Sequence, residues 1–302
     1  MTACRRREFL AAAAGTAVCL RGFGRTAAAA ADVAVPPPPI VPLGATGITL
    51  SRIGQGTGMR GGNRQSNHSR MGFEKLVALF RHAYDRGVTF FDMADIYGTH
   101  VYFREALRSI PRDKVTILTK LWWRYDGKPA EAPPDFQKRS TRMAIERFQH
   151  EIATDRLDIV LLHCLESGTW DKELQAYMEA LSELKEKKRI RAVGVSCHNF
   201  EALKTAAACP WVDVILARIN PRGVAMDAAA DQVVPVLAQA KRNGKAIIGM
   251  KIYGEGRLVE RKDECMQFAQ GLDFLDCMTI GSEAIEHVDD NLRLLAKYPK
   301  SA

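Results

Sequence analysis

At 302 residues, 47% hydrophobic and 26% charged, the chain is long and apolar enough to bury a full core, which excludes an intrinsically disordered chain. Past the first forty residues no stretch stays apolar and uncharged for 18 residues, which excludes a membrane-spanning helix in the body. The formal charge of +8 is concentrated at the start. Five arginines against Glu8 in residues 1–31 leave about +4 for the remainder, with no aromatic-interleaved basic stripe of the kind nucleic acid requires.

The first segment has its own character. Arg5-Arg6-Arg7-Glu8-Phe9-Leu10 precedes an Ala-rich apolar run, followed by Ala27–Ala31 and the prolines 36–39. A basic stretch, a modest apolar stretch and a small-residue zone predict an export signal over 1–31, and then a Pro-rich linker over 32–41. Arg6-Arg7-x-Phe9-Leu10 resembles a twin-arginine signal, with Arg5 where that motif carries Ser or Thr. The resemblance implies the twin-arginine export machinery as a partner and a periplasmic or otherwise exported location. An Ala-rich disordered tail on a cytoplasmic protein is the competing reading. Without Cys4 and Cys19 the seven cysteines fall to five, odd in number and irregular in spacing, so no disulfide framework is expected.

From residue 42 onward the pattern alternates. Val41–Gly47 and Leu50–Gly54 predict a short hairpin with glycine at the turn. Apolar strand-like runs follow at Ile53–Gly56, Thr89–Asp92, Val115–Lys120, Ile159–His163, Ile190–Ser196, Val214–Ile219, Ala246–Lys251 and Cys277–Ile280. Between them, Phe73–Arg86, Met143–Thr154, Asp171–Glu186, Phe200–Ala208, Ala228–Arg242 and Ala284–Ala296 have helical spacing. Ser140-Thr141 and Ser282-Glu283 serve as helix openers, and Gly87 and Gly244 as stops. Eight strands alternating with helices predict a (β/α)8 TIM barrel with an N-terminal β-hairpin over 42–302. A doubly wound open sheet is the alternative, but no strand runs into a Gly-x-Gly-x-x-Gly turn.

Polar residues end three successive strands. Phe90-Phe91 ends on Asp92, with Tyr97 five residues later; the next strand ends on Lys120, and the one after on His163. In a closed barrel these strand ends converge at one mouth. Asp92-x-Ala94-x-x-Tyr97-Gly98, Lys120, Asp158-x-x-Leu161-Leu162-His163 and Gly194-Val195-Ser196 resemble the aldo-keto reductases over nearly the whole chain after residue 42. The resemblance implies transfer of a hydride between a nicotinamide, NADP or NAD, and a small-molecule carbonyl compound (an aldehyde, ketone or quinone). The chemistry suits the residue types. Hydride arrival at carbon builds negative charge on oxygen, which Tyr97 meets as acid and His163 as hydrogen-bond donor. An adjacent ammonium favours a phenolate, so Lys120 is expected to lower the Tyr97 pKa, with Asp92 anchoring Lys120.

On the cofactor side the resemblance points to Gly56, Thr57, Asp92, Ser196, Cys197, Met250, Lys251, Gly281, Ser282 and Asn291. Cys197 replaces the family's Asn, and Met250 stands where many members place a ring-stacking aromatic. The two positions that hold cations in NADP-preferring members are Gly281 and His287, with Glu283 adding negative charge, so NADH and NADPH both stay open. Trp122 and Trp123, with His100 and Tyr102 near the Tyr97 loop, are the expected substrate wall. Pairing His163-Cys164 with Cys197-His198 suggests a metal, but neighbours on a strand face opposite ways, and none is expected. A nucleotide-binding sensor that turns over slowly, and a barrel lyase or isomerase, are the competing functions.

Overall fold

The computed structural model describes residues 35–127 and 131–300; the expected export signal lies outside the described residues. A hairpin of β1 (Ile40–Pro42) and β2 (Thr49–Ser51) comes first. Eight parallel strands then close into a barrel. They are β3 (Ile53–Gly56), β4 (Phe90–Asp92), β5 (Thr116–Leu121), β6 (Leu157–Leu165), β7 (Ile190–Cys197), β8 (Val214–Arg218), β9 (Ala246–Met250) and β10 (Cys277–Ile280). β10 pairs back onto β3, which completes the ring. The expected hairpin and (β/α)8 barrel are both present.

Alternation along the strands sorts the core into two layers. Phe90, Leu118, Ile159, Leu161, Leu216 and Ile248 fill the barrel interior, while the residues between them, such as Phe91, Ile117, Val160 and Leu162, pack against the helices. Burying each of these side chains contributes about 1.5–3 kcal/mol. The hairpin supplies Leu43, Ile48 and Leu50 to the interior cluster, so it plugs one end of the barrel. The same period of two carries Asp92, two residues beyond Phe90, into the interior. Lys120 follows Leu118 and His163 follows Leu161 in the same way. All three therefore emerge at the open, C-terminal end.

Most differences from the sequence reading lie in the helices. The expected helix Met143–Thr154 starts at Pro134 instead, because a proline in the first turn loses no intrahelical hydrogen bond. Ser140 and Thr141 thus lie inside it, their hydroxyls turned back onto the Gln137 carbonyl at 3.2 and 2.8 Å. Asp171–Glu186 divides into Trp170–Glu173 and Gln175–Glu186. Helices His100–Ala106 and Lys262–Gln270 were not anticipated. Among the described residues no helix is long and apolar enough to cross a membrane.

Candidate active site

Three strand ends and one helical turn build the site. Asp92 ends β4 and Lys120 lies near the end of β5, both almost fully buried. The Lys120 ammonium donates to the Asp92 carboxylate and, at 2.9 Å, to the Met93 carbonyl. A single helical turn, Asp95–Tyr97, brings Tyr97 back over this pair, with Lys120 Nζ 4.9 Å from the ring centroid. Tyr97 fits only because its neighbours are bare. A Cβ on Gly58 or Gly61 would come within 2.4 Å of its ring.

His163 sits at a register shift between Leu162 and Leu165 of β6, followed by Cys164 in left-handed backbone at φ +58°. A bulge of this kind re-aims a strand-end side chain. Its Nε2 lies 3.3 Å from Tyr97 Oη, the rings meeting edge to face at 5.5 Å. Trp123 Nε1 donates to the His163 carbonyl at 3.0 Å and fixes its backbone. Burial first, then the positive charge of Lys120 and the neighbouring His198 and Lys251, push the His163 pKa well below its ordinary value. The ring is therefore neutral, with Nδ1 buried and unpartnered and Nε2 aimed at the site.

Tyr97 departs from the sequence expectation. Its ring edge reaches solvent, yet enclosure of the phenol, with Asp92 and Cys164 as further causes, pushes its pKa well above the ordinary value. Lys120 does not bring it down. That ammonium is committed to Asp92 and Met93 and faces the ring rather than the hydroxyl. Tyr97 is consequently a neutral phenol that carries its proton at neutral pH.

A groove of about 450 Å³ runs from Asp92, Gly58 and Tyr97 to His287 and Asn291 on the last helix, Ile285–Lys297. Gly56, Met250, Lys251, Gly281 and Ser282 line it as well. Its floor has to be bare at Gly56, where a Cβ would come to 2.8 Å from Thr279 Oγ1 and 3.3 Å from the Gly281 nitrogen. Thr279 Oγ1 is buried there without a hydrogen-bond partner. Ser282 is fixed on both sides. Its carbonyl accepts from Gln55 at 3.0 Å and faces His68 Nε2 at 2.9 Å, and its hydroxyl accepts from Asn291 at 3.1 Å. Helix Ile285–Lys297 begins at Ala284 without a side-chain cap, so its first amides are open toward an anion.

Other expected site residues face elsewhere. Cys197 points outward into the helix layer, because the strand period that turns Ser196 inward turns its neighbour out. Trp123 is likewise in the helix layer, leaving Trp122 against the His163 ring at 5.6 Å. Thr57 lies beneath the groove, its hydroxyl donating to the Asp92 carbonyl at 2.9 Å. Ser196 Oγ accepts from the Cys164 amide at 3.1 Å. His100 is no substrate wall. It is buried behind β5, between Glu151 Oε2 and Thr119 Oγ1, each at 2.8 Å.

Sequence reasoning missed Arg218, which follows Leu216 on the interior face of β8 and pairs with the buried Asp227. The alternation that found Lys120 would have found it. Nothing in the sequence marked Tyr253, whose hydroxyl donates to Asn291 Oδ1 at 2.8 Å beside the groove. Among the described residues no group of three or more His, Cys, Asp or Glu is placed to hold a metal ion, and the five described cysteines are all free and buried.

Known proteins share this architecture. Over 238 residues the chain is 22% identical to a D-threo-aldose 1-dehydrogenase of Pseudomonas sp, a match covering 72% of this chain and 70% of that protein. Over 198 residues it is 26% identical to an NADH-specific methylglyoxal reductase of Escherichia coli (strain K12), covering 62% and 60%. The stretches matched in curated relatives span 47% to 70% of those proteins' lengths. An aldo-keto reductase from Bacillus halodurans, in its holo form, shares the fold with a TM-score of 0.67 at 18% identity, covering 87% of this chain and 92% of that one. The family pattern itself matches residues 52–298, from the first barrel strand to the end of the last helix, and so the chain belongs to the Aldo/keto reductase family.

Proposed function

We propose that the chain is an NAD(P)H-dependent oxidoreductase acting between an aldehyde or ketone and the corresponding alcohol. One observation carries this. Tyr97 Oη and His163 Nε2 stand 3.3 Å apart by the buried Lys120–Asp92 pair, at one end of a groove that also reaches His287 and Asn291. When bound, the nicotinamide supplies or takes up the hydride. The residues do the rest. His163 Nε2 and Tyr97 Oη converge on one carbonyl oxygen, two hydrogen-bond donors where negative charge develops. Tyr97 delivers its proton there, and the Lys120 ammonium stands 4.9 Å from the centroid of its ring. Gly56 and Gly281 leave the groove floor bare, and the uncapped helix at Ala284 suits a phosphate.

Trp122 gives the carbonyl compound a flat apolar wall beside His163. Relatives named for methylglyoxal and an aldose point the first assays to small reactive aldehydes and sugars. Purified full-length protein mixed with NADH or NADPH and a panel of such compounds should consume the nicotinamide absorbance. No turnover with either cofactor across the panel would sink the activity.

The export reading belongs with this proposal, supported by Arg6-Arg7-x-Phe9-Leu10 and the apolar run after it. A twin-arginine route carries folded protein, which suits a barrel with its cofactor already loaded and free cysteines that need no oxidation. Replacing Arg6 and Arg7 together by Lys should hold the protein in the cytoplasm on cell fractionation. If both forms distribute alike, the signal is not used.

A further inference from the structure

The 3₁₀ turn that carries Tyr97 is held by a charged clasp. Asp95, two residues before Tyr97, has a side chain only 1% exposed, with its two carboxylate oxygens taken by different arginines. Arg64 reaches Oδ1 at 3.0 Å and Arg147 reaches Oδ2 at 2.8 Å. Arg147 also donates to Glu151 at 2.9 Å, and Glu151 accepts from His100 at 2.8 Å. Burial opposes ionisation of Glu151, but hydrogen bonds from His100 and Arg147 hold its pKa down at about 2. His100 in turn meets Thr119, the neighbour of Lys120 on β5. The network thus links the turn bearing Tyr97, the long helix Pro134–Ile152 and the strand bearing Lys120.

Arg64 is the unusual member. It and Asn63 are the central residues of a small hairpin closed by mutual backbone hydrogen bonds of Gly62 and Gln65, each 2.9 Å. Both are left-handed, at φ +57° and +49°, where a tight hairpin turn favours Gly or Asn. A long arginine at such a position carries backbone strain. The strain places its guanidinium on Asp95 and its carbonyl against Gly98, where a Cβ would come within 2.0 Å. The same loop packs Gly58 and Gly61 on the Tyr97 ring and lines the groove with Met59 and Arg60.

We propose that Arg64, through Asp95, is a positioning residue that sets the Tyr97 hydroxyl relative to Lys120 and His163. A simple surface ion pair does not account for the geometry. Asp95 is buried on the acid's own turn, and Gly58 and Gly61, which pack on the Tyr97 ring, lie on Arg64's loop. The inference rests on the reading of Tyr97 as general acid. Misplacing a reacting group by about 1 Å costs up to about 100-fold in rate.

Arg64 is the member to change, because it is half exposed and Arg147 still neutralises Asp95 in its absence. In full-length Arg64→Met, with the panel aldehyde that the wild type turns over fastest, kcat should fall about 10-fold. KM for aldehyde and cofactor should stay within about two-fold, and Arg64→Lys should recover most of the loss. By hydrogen exchange and mass spectrometry, peptides spanning residues 93–99 should exchange faster in Arg64→Met, with the unfolding temperature unchanged. An unchanged kcat overturns the proposal, as does a change confined to KM or a loss that Lys does not rescue. Unchanged exchange over 93–99 overturns it as well. If the wild type turns over nothing, the activity fails on its own account, and the exchange comparison still decides whether Arg64 holds the turn.

Discussion

Tyr97→Phe is expected to lower the rate of carbonyl reduction by about 10²–10⁴-fold, the contribution usual for a positioned proton donor. Cofactor affinity should change by no more than about two-fold, because the ring stays packed between Gly58 and Gly61 and only the hydroxyl is lost. Two measurements on the same preparation check this: steady-state consumption of the nicotinamide, and quenching of tryptophan fluorescence on titration with cofactor. Turnover that survives the change would refute Tyr97 as the acid. Loss of both turnover and cofactor binding would show that the phenol shapes the groove instead. Since the folded protein holds Tyr97 neutral by burial and by the nearby Asp92, the proton is on the hydroxyl before any substrate arrives.

A larger effect on the fold is expected from Lys120→Met. The ammonium is 1% exposed and donates to Asp92 and the Met93 carbonyl, so its removal leaves the Asp92 carboxylate buried without a counter-charge. Breaking a buried pair from one side costs about 3–5 kcal/mol, most of it the stranded charge. Denaturant unfolding should show that loss in Lys120→Met. It should show most of it regained in the double variant Asp92→Asn with Lys120→Met, where no charge is stranded. Neither variant should reduce carbonyls at more than a small fraction of the wild-type rate. A double variant as unstable as the single one would mean that the pair matters through packing rather than charge.

The barrel and the three strand-end residues were legible because one rule, a period of two along buried strands, governs both the core and the site. Asp92, Lys120 and His163 each lie two residues past an interior Phe or Leu. That rule also explains the misassigned Cys197, which a family position implied and the alternation with Ser196 turns away. His100 and Trp123 were read as wall because they are aromatic and close in sequence to the site. Their ring nitrogens are instead spent on Glu151 and Thr119, and on the His163 carbonyl, contacts over 19 to 51 residues that no local pattern encodes. The direction of the Tyr97 shift was out of reach for a similar reason. It is set first by enclosure of the phenol and then by Asp92 and Cys164, surroundings that only the folded site assembles. The clasp on Asp95 was hidden because its partners, at positions 64, 147 and 151, come from separate elements.

The hairpin bearing Leu43, Ile48 and Leu50 has a consequence for molecular traffic. With that end stoppered by side chains, nothing passes through the barrel, and every arrival and departure takes place at one rim. A dinucleotide laid in the groove covers the sector between Tyr97 and Asn291, which leaves the sector beside Trp122 for the carbonyl compound. Both guests therefore come and go on the same face of the barrel, opposite the hairpin.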